Sequence, residues 1–369
     1  MKQIRSQLYT WSQYLPEAQL DQNGHFVQAR AGEPGVLIDP VALHPGDEAQ
    51  LAALGGVGGV LLTSAAEVRE AARCSERFGC PLFLAQDDVA GAEQAGLPGS
   101  ARLEPFDPYD RLPGGLRAIP LPDGRTPGET VFYQAQLGTA VAGAVIYGHP
   151  PGQLSLPPTG DHLPRAAGMT RGLRALLAHP VARLLLSTGQ SLFQEAERAL
   201  QDLVHRHDPA ACLVHPHELQ WQEPRTKGSR FQRRSAEYSR LLGLKVLDFE
   251  LTAVAPGKQN TLVHRHYGAE EVFIVVEGHG EVETEHGTFP IGAGDVLGFP
   301  SRYAVAHAIR NTGQIELRFL SFSAPSEEVG LAEYPHSNKQ LQWLGPGKLR
   351  RFYLPEQLDV DYWEGEAID

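Results

Sequence analysis

Along the first two hundred residues, short apolar runs alternate with stretches whose apolar positions recur every three or four residues. Residues 36–39 (VLID) and 59–63 (GVLLT) read as short buried strands. Ser64 followed by Glu67 has the spacing of a capping box, which predicts a helix over 65–78 with Gly79 as its stop. Residues 81–85 (PLFLA) resume as a strand and complete a strand-helix-strand unit. Strands are also predicted over 130–134 and 140–147, with a Gly/Pro-rich loop over 148–164. Met169, Leu173, Leu176 and Leu177 fall on one helical face, as do Leu192, Ala196, Leu200 and Leu203, and prolines at 180 and 209 end both patterns. Layered α/β packing is the expectation.

The period changes at about residue 208. Residues 222–240 hold Arg225, Lys227, Arg230, Arg233, Arg234 and Arg240 among few apolar residues, which reads as a linker or extended arm. Beyond it, LKVLDFEL, EVFIVVEG, GEVETEHGTFPI, GDVLGFP and IELRFLSFS alternate with period two between Gly, Pro and Asn turns, the pattern of a small antiparallel barrel. Residues 354–369 carry Glu356, Asp359, Asp361, Glu364, Glu366 and Asp369 and no base, and are expected to lie on the surface. The chain therefore reads as α/β plus all-β: a first domain over 1–207, a linker over 208–239, a barrel over 240–325 and a tail over 326–369.

Composition narrows the function classes. Lys and Arg number 32 against 44 Asp and Glu, a net charge of −12, so a nucleic-acid partner is not expected. Three cysteines without a CxxC pair suit a reducing compartment. Apolar runs fall short of the ~20 residues that span a bilayer, so no membrane association is expected. Neither does the start, MKQIRSQLYTWSQYL, hold the apolar core of a signal peptide, and a cytoplasmic location is the expectation.

The strongest chemical signal is His264-Arg265-His266, followed by Glu271 and then His307. In an extended strand residues two apart share a face, so His264 and His266 can direct two imidazoles at one point. Glu271 and His307 open later strands, and a barrel could converge all four on one divalent transition metal, whether Fe, Mn, Ni, Co, Cu or Zn. An octahedral ion held by four donors keeps two positions open. The alternative is four side chains hydrogen-bonded in a metal-free cavity. Alternation with Phe273 and Val275 turns Glu271 inward and the competing Glu270 outward. Leu262 and Phe273 are candidates for an apolar cavity lining.

These residues resemble the cupin family over about 240–325. Its first motif is matched by Gly257, His264-x-His266, Glu271 and Gly278, with six residues after Gly257 where the family has five. Its second is matched by Gly294, Pro300, His307 and Asn311, with Arg302 replacing the usual Gly and two extra residues between Pro300 and His307. The resemblance implies a metal held by His264, His266, Glu271 and His307, a small-molecule substrate or ligand, and a homo-oligomer.

Residues 1–207 resemble the metallo-β-lactamase-like hydrolases, which implies an αββα sandwich. The family's Thr-His-x-His-x-Asp-His segment reads here Thr63-Ser64-Ala65-Ala66-Glu67-Val68-Arg69. Its Gly-His-Thr-Pro-Gly becomes Gly124-Arg125-Thr126-Pro127-Gly128, its Gly-Asp becomes Gly143-Ala144, and its late His-Gly becomes Thr188-Gly189. Nothing remains at those positions to hold zinc. Arg69 and Arg125 place positive charge where a cation would sit, either as internal ion-pair partners or as an anion cleft. A second histidine cluster, His205, His207, His215 and His217, sits around a predicted helix end and reads as structural. The combined expectation is a metal-binding cupin fused to a non-catalytic hydrolase-like domain. It would act as a dioxygenase, isomerase or lyase on a small polar molecule, with a binding or sensor protein as the alternative.

Overall fold

The structure is a computed structural model that describes all residues except 18, 158–162, 209, 302, 325–329, 344–349, 355–356, 359–361, 364 and 369. The chain divides into two compact units, Met1–Leu213 and Val214–Asp369.

The first unit is built on two sheets. A seven-stranded sheet follows chain order from Lys2–Arg5 to Leu103–Phe106. It is antiparallel as far as Gly35–Ile38 and parallel from there through Val57–Leu61 and Leu82–Ala85. A five-stranded sheet runs Arg183–Leu186, Thr139–Ala142, Thr130–Gln134, Leu116–Pro120, Arg111–Leu112. Strand alternation divides the apolar residues between two layers. Val36, Ile38 and Leu61 of the first sheet bury against Leu116, Phe132 and Val141 of the second. Leu37, Val60 and Leu62 point the other way, toward Leu51, Ala71 and Cys74 of helices Pro45–Ala53 and Ala71–Phe78. Helices Leu163–Arg174 and Ala196–His207 pack together, and the second packs against strand Arg183–Leu186. This is the αββα sandwich.

Three local expectations change. The helix over 65–78 is two pieces, a single 3-10 turn Ala65–Glu67 and an α-helix Ala71–Phe78, and the Ser64 side chain does not cap the first. Between them Arg69 has φ +25°, a positive value that a non-glycine residue rarely adopts. The strand expected over 140–147 ends at Ala142. Gly79 does end its helix in the left-handed conformation, at φ +62°.

The second unit is formed of antiparallel sheets, and among the described residues no single closed barrel joins its strands. A six-stranded sheet runs Arg225–Lys227, Phe231–Glu237, Asp248–Val254, Leu317–Ala324, Glu270–Glu277, Val296–Phe299. A three-stranded sheet holds Gly287–Gly292, His279–Thr284 and His307–Arg310, and shares with the first a core of Val254, Phe273, Val282, Ile309 and Phe319. The basic segment read as a linker thus supplies two strands of the main sheet. Its arginines hid them, because they are strand side chains paired with acids, Arg233 with Glu250 at 3.3 Å and Arg234 with Glu316 at 2.9 Å. Phe231, Ser235 and Ala236 are meanwhile buried.

The described residues from 330 onward likewise do more than line the surface. Strands Gly330–Tyr334, Lys339–Trp343 and Arg350–Leu354 join Arg265–Tyr267 in a further sheet. Tyr334 and Leu341 pack with Phe231 and Leu262, and Tyr362 and Trp363 pack against that cluster. Lys339 is fully buried and pairs with Glu366 at 2.9 Å. Glu356, Asp359, Asp361, Glu364 and Asp369 lie outside the described residues. Among the described residues no helix is long and apolar enough to cross a membrane.

Candidate functional site

His264 and His307 exchange backbone hydrogen bonds, N–H to C=O at 3.2 and 2.8 Å, which brings the two histidine-bearing segments side by side. His266 lies in strand Arg265–Tyr267, and Glu271 lies in strand Glu270–Glu277, where it faces Phe299 on one side and Ser323 on the other. Glu270 is exposed, while Glu271 turns inward.

The donor atoms of His264, His266 and Glu271 converge, and His307 Nε2 meets them through Glu271. His264 Nε2 is 3.1 Å from His266 Nε2, and Glu271 Oε2 is 3.5 Å from His266 Nε2 and 3.2 Å from His307 Nε2. Donors bound to one ion at ~2.1 Å and at roughly 90–110° to each other stand about 3.0–3.4 Å apart, which is close to these separations. Glu271 Oε2 and His307 Nε2 are buried and, despite their proximity, lack hydrogen-bond alignment. The tautomers suit the same end. His264 Nδ1 contacts Leu262 O at 2.8 Å and His307 Nδ1 contacts Val305 O at 3.1 Å, so each Nδ1–H donates to a carbonyl and each Nε2 turns a lone pair inward. His307 is clamped by the ring of Phe299, stacked at 3.5 Å between centroids.

Electrostatics agree with that geometry. Burial, reinforced by His266 and His307, pushes the His264 imidazole down to about 3, so it is neutral and a lone-pair donor at neutral pH. Burial also lowers His266. Burial alone would raise Glu271, but its interactions with His307, His266 and His264 bring it down to about 2, so it stays an anion. The set offers imidazole nitrogens, those of His264 and His266 held neutral, and one carboxylate, a composition that fits a divalent transition metal. Among the described residues, His264, His266 and Glu271 form the one cluster of three or more such donors within 4.8 Å of one another. His205, His207, His215 and His217 are exposed and lie outside it, with the rings of His215 and His217 stacked at 5.4 Å.

A cavity of about 590 Å³ opens beside these residues. Phe273 lines it, whereas Leu262 does not: that side chain belongs to the cluster with Tyr334 and Leu341. Much of the lining is polar, with Thr252, Ser321, Ser323 and several charged groups, and none of these was legible as a site residue. They share the inward face of the main sheet, a signal that appears only once strand register is known.

In the first unit the segment carrying Arg69 is occupied by internal pairing. The Arg69 guanidinium pairs with Glu67 and donates to the carbonyls of Asn23 at 3.3 Å, Asp39 at 3.4 Å and Ser187 at 3.3 Å. Arg125 donates to Ala144 O at 3.4 Å. Around them lie buried carboxyls that the sequence reading did not single out. Asp39 accepts from Thr63 N at 2.8 Å, from Thr63 Oγ1 at 2.6 Å and from Ser187 Oγ. Burial raises Asp39, takes Glu67 to about 7 and takes Glu129 to about 8, the last with help from the Glu67 charge. Glu67 was hidden by its capping-box spacing, although its side chain turns inward.

Comparison with known proteins assigns both halves. The family described as metallo-beta-lactamase superfamily matches residues 1–207, and the cupin domain family matches residues 250–323. An uncharacterized protein of Methanocaldococcus jannaschii is 33% identical over 73 residues, 20% of this chain, and the match spans 57% of that protein's own length. A metallo-beta-lactamase from Pontibacter korlensis superposes with TM-score 0.44 at 17% identity, covering 55% of this chain and 97% of that one. A sugar phosphate isomerase of a cupin superfamily from Silicibacter pomeroyi superposes with TM-score 0.37 at 18% identity, covering 41% of this chain and 97% of that one.

Proposed function

Because the chain belongs to the metallo-β-lactamase superfamily through residues 1–207 and carries a cupin domain over 250–323, we propose that its chemistry resides in the cupin half. There His264, His266, Glu271 and His307 would hold one divalent transition metal beside a cavity for a small polar molecule. The observation that carries this reading is the approach of Glu271 Oε2 to His307 Nε2 at 3.2 Å without a hydrogen bond, next to the 3.1 Å contact of His264 and His266. With the His307 proton on Nδ1, its Nε2 lone pair and the Glu271 carboxylate are two buried acceptors facing each other, an arrangement that is costly unless both address a third, cationic partner.

A bound ion with open positions supplies Lewis acidity or an oxygen-binding centre, the chemistry of an isomerase, lyase or dioxygenase. The protein's own part is to aim the imidazoles inward and to keep those of His264 and His266 neutral. Thr252, Ser321 and Ser323 offer hydroxyls that orient a polar substrate, and Phe273 gives the cavity an apolar wall. In the first unit Arg69 stands where the superfamily places a ligand, and its charge is taken up by Glu67. We therefore assign that unit no hydrolase role.

Elemental analysis of full-length protein purified without chelator or affinity metal tests the proposal, with His264→Ala and Glu271→Ala beside it. About one equivalent of metal in the parent, lost in both variants, is the expected result. No metal in the parent, or equal metal in all three, would overturn it.

A further inference from the structure

The metal residues meet where three sheets come together. His266 lies in strand Arg265–Tyr267, which belongs to the sheet of Gly330–Tyr334, Lys339–Trp343 and Arg350–Leu354. Glu271 belongs to the six-stranded sheet and His307 to the three-stranded one. The segment that ends at His264 is joined to the His307 strand by isolated bridges, Gln259 with Arg310 and His264 with His307. Past that point the main chain pairs with strand Gly330–Tyr334 instead, Arg265 opposite Glu333 and His266 opposite Ala332. Among the described residues no ladder joins the strand of His266 to those of Glu271 and His307. Apart from the short link 268–269, that tie falls to side chains.

Arg265 has the contacts to supply it. Strand alternation turns its side chain to the face opposite the imidazoles on either side of it in sequence. There its Nε donates to Glu333 Oε2 at 2.8 Å, and its Nη1 donates to Glu285 at 2.9 and 3.2 Å and to Ala304 O at 3.4 Å. Glu285 follows Thr284, the residue paired with His307. Ala304 lies three residues before His307 and has φ +43°, a value that an alanine holds only where its surroundings impose it. Glu333 also accepts from Tyr267 Oη at 3.1 Å, which pins the far end of the His266 strand. An isolated exposed ion pair contributes little, but one planar guanidinium shared by two carboxylates and a carbonyl fixes a geometry that a single pair does not.

We propose, resting on the metal-site reading above, that Arg265 is a positioning residue for the metal. It acts from outside the site: by holding the strand of His266 against the turn and the segment beside His307, it sets the spacing of the imidazoles before an ion arrives. A preset spacing spares the ion the cost of ordering its ligands, and outer groups that orient ligands commonly contribute about 10–100-fold to affinity. Lysine at this position carries the charge without the planar fork, and so keeps only part of the tie.

Titration of the full-length protein with Co²⁺, followed by its visible absorption, reads both the affinity and the ligand set. Arg265→Met keeps the aliphatic stem and is expected to bind Co²⁺ about tenfold more weakly, with an altered spectrum. Arg265→Lys should recover part of the affinity and the parent's spectrum. Glu285→Gln, at an exposed turn, removes one arm of the tie and is expected to cost about threefold, and it carries the test if Arg265→Met does not fold. Parent-like affinity in either variant would overturn the proposal, as would a lysine no better than methionine. Weaker binding with the parent's spectrum would mark a loosened fold and no displaced ligand, and would overturn it too. The metal reading is tested separately in the same titration. No Co²⁺ bound by the parent, or binding undiminished in His264→Ala and Glu271→Ala, would sink both, whereas Co²⁺ bound through Glu271 but indifferent to Arg265 would sink this inference alone.

Discussion

The ring of Tyr334 stacks on His264, with centroids 5.7 Å apart and planes 18° from parallel, so a strand beyond the cupin motifs braces one of the site's imidazoles. Tyr334 is itself held by the Tyr362 ring at 5.7 Å, and Tyr362 Oη lies 3.1 Å from Thr261 Oγ1. Groups that orient a ligand side chain without touching the ion commonly contribute about 10–100-fold to metal affinity. Tyr334→Leu is therefore expected to weaken metal binding about tenfold. Tyr334→Phe, which keeps the stack, should stay near the parent. Competition with a chromophoric chelator measures both, and equal affinity in Tyr334→Leu would show that the stack does not position His264.

Arg69 is expected to matter for stability in the first unit. Its guanidinium neutralises Glu67 beside the buried Asp39 and bonds three main-chain carbonyls. Removing one partner of a buried pair leaves an uncompensated charge and typically costs about 3–5 kcal/mol. Arg69→Met should lower the stability of that unit by roughly this amount in denaturant titrations. A loss below about 1 kcal/mol would mean the carboxyls are protonated or solvated without it.

The neighbouring acids make this unit's stability depend on pH. Burial and the Glu67 charge raise Glu129 to about 8, and burial raises Glu67 to about 7, from an ordinary 4.5. Between 4.5 and these values the folded unit binds more protons than the unfolded chain, so stability falls as pH rises, with the part lost above pH 6.5 of order 2–4 kcal/mol. Burial lowers His25 to about 4, which has the opposite slope, stability rising with pH, but only below its ordinary 6.5. Denaturation from pH 6.5 to 9 isolates the acids. Glu129→Gln should flatten the decline across that range, and an unchanged slope would assign it elsewhere.

The histidine-glutamate set was legible because period two and short spacing alone place His264, His266 and Glu271 on inward faces. The three strands Lys2–Arg5, Leu8–Leu15 and Leu20–Val27 were not, since Ser12, Gln13 and Tyr14 break the apolar alternation on an exposed stretch. Charge misled in the same way at Arg225–Lys227 and Phe231–Glu237. There the side chains that look like a solvated arm are strand residues whose partners, Glu250 and Glu316, lie 17 and 82 positions away. The cavity's hydroxyls and cations come from separate strands whose register local sequence does not encode. The same holds for the buried carboxyls of the first unit, which come together from residues 39, 67 and 129.

Phe273 joins the core to the site, and its replacement should separate the two contributions. Its ring meets Phe299, Phe319 and His307 edge-on, at 5.8, 5.6 and 5.6 Å between centroids, and lines the cavity on its other side. Phe273→Ala removes a buried aromatic and is expected to cost about 3–5 kcal/mol of the second unit's stability. Phe273→Leu retains most of the volume and should cost about 1–1.5 kcal/mol. His307 remains clamped by Phe299 in both variants, so the protein that stays folded should keep its metal. Thermal unfolding followed beside metal content decides the matter. Metal lost from a folded Phe273→Leu would make Phe273 a positioning residue for His307 and not merely core.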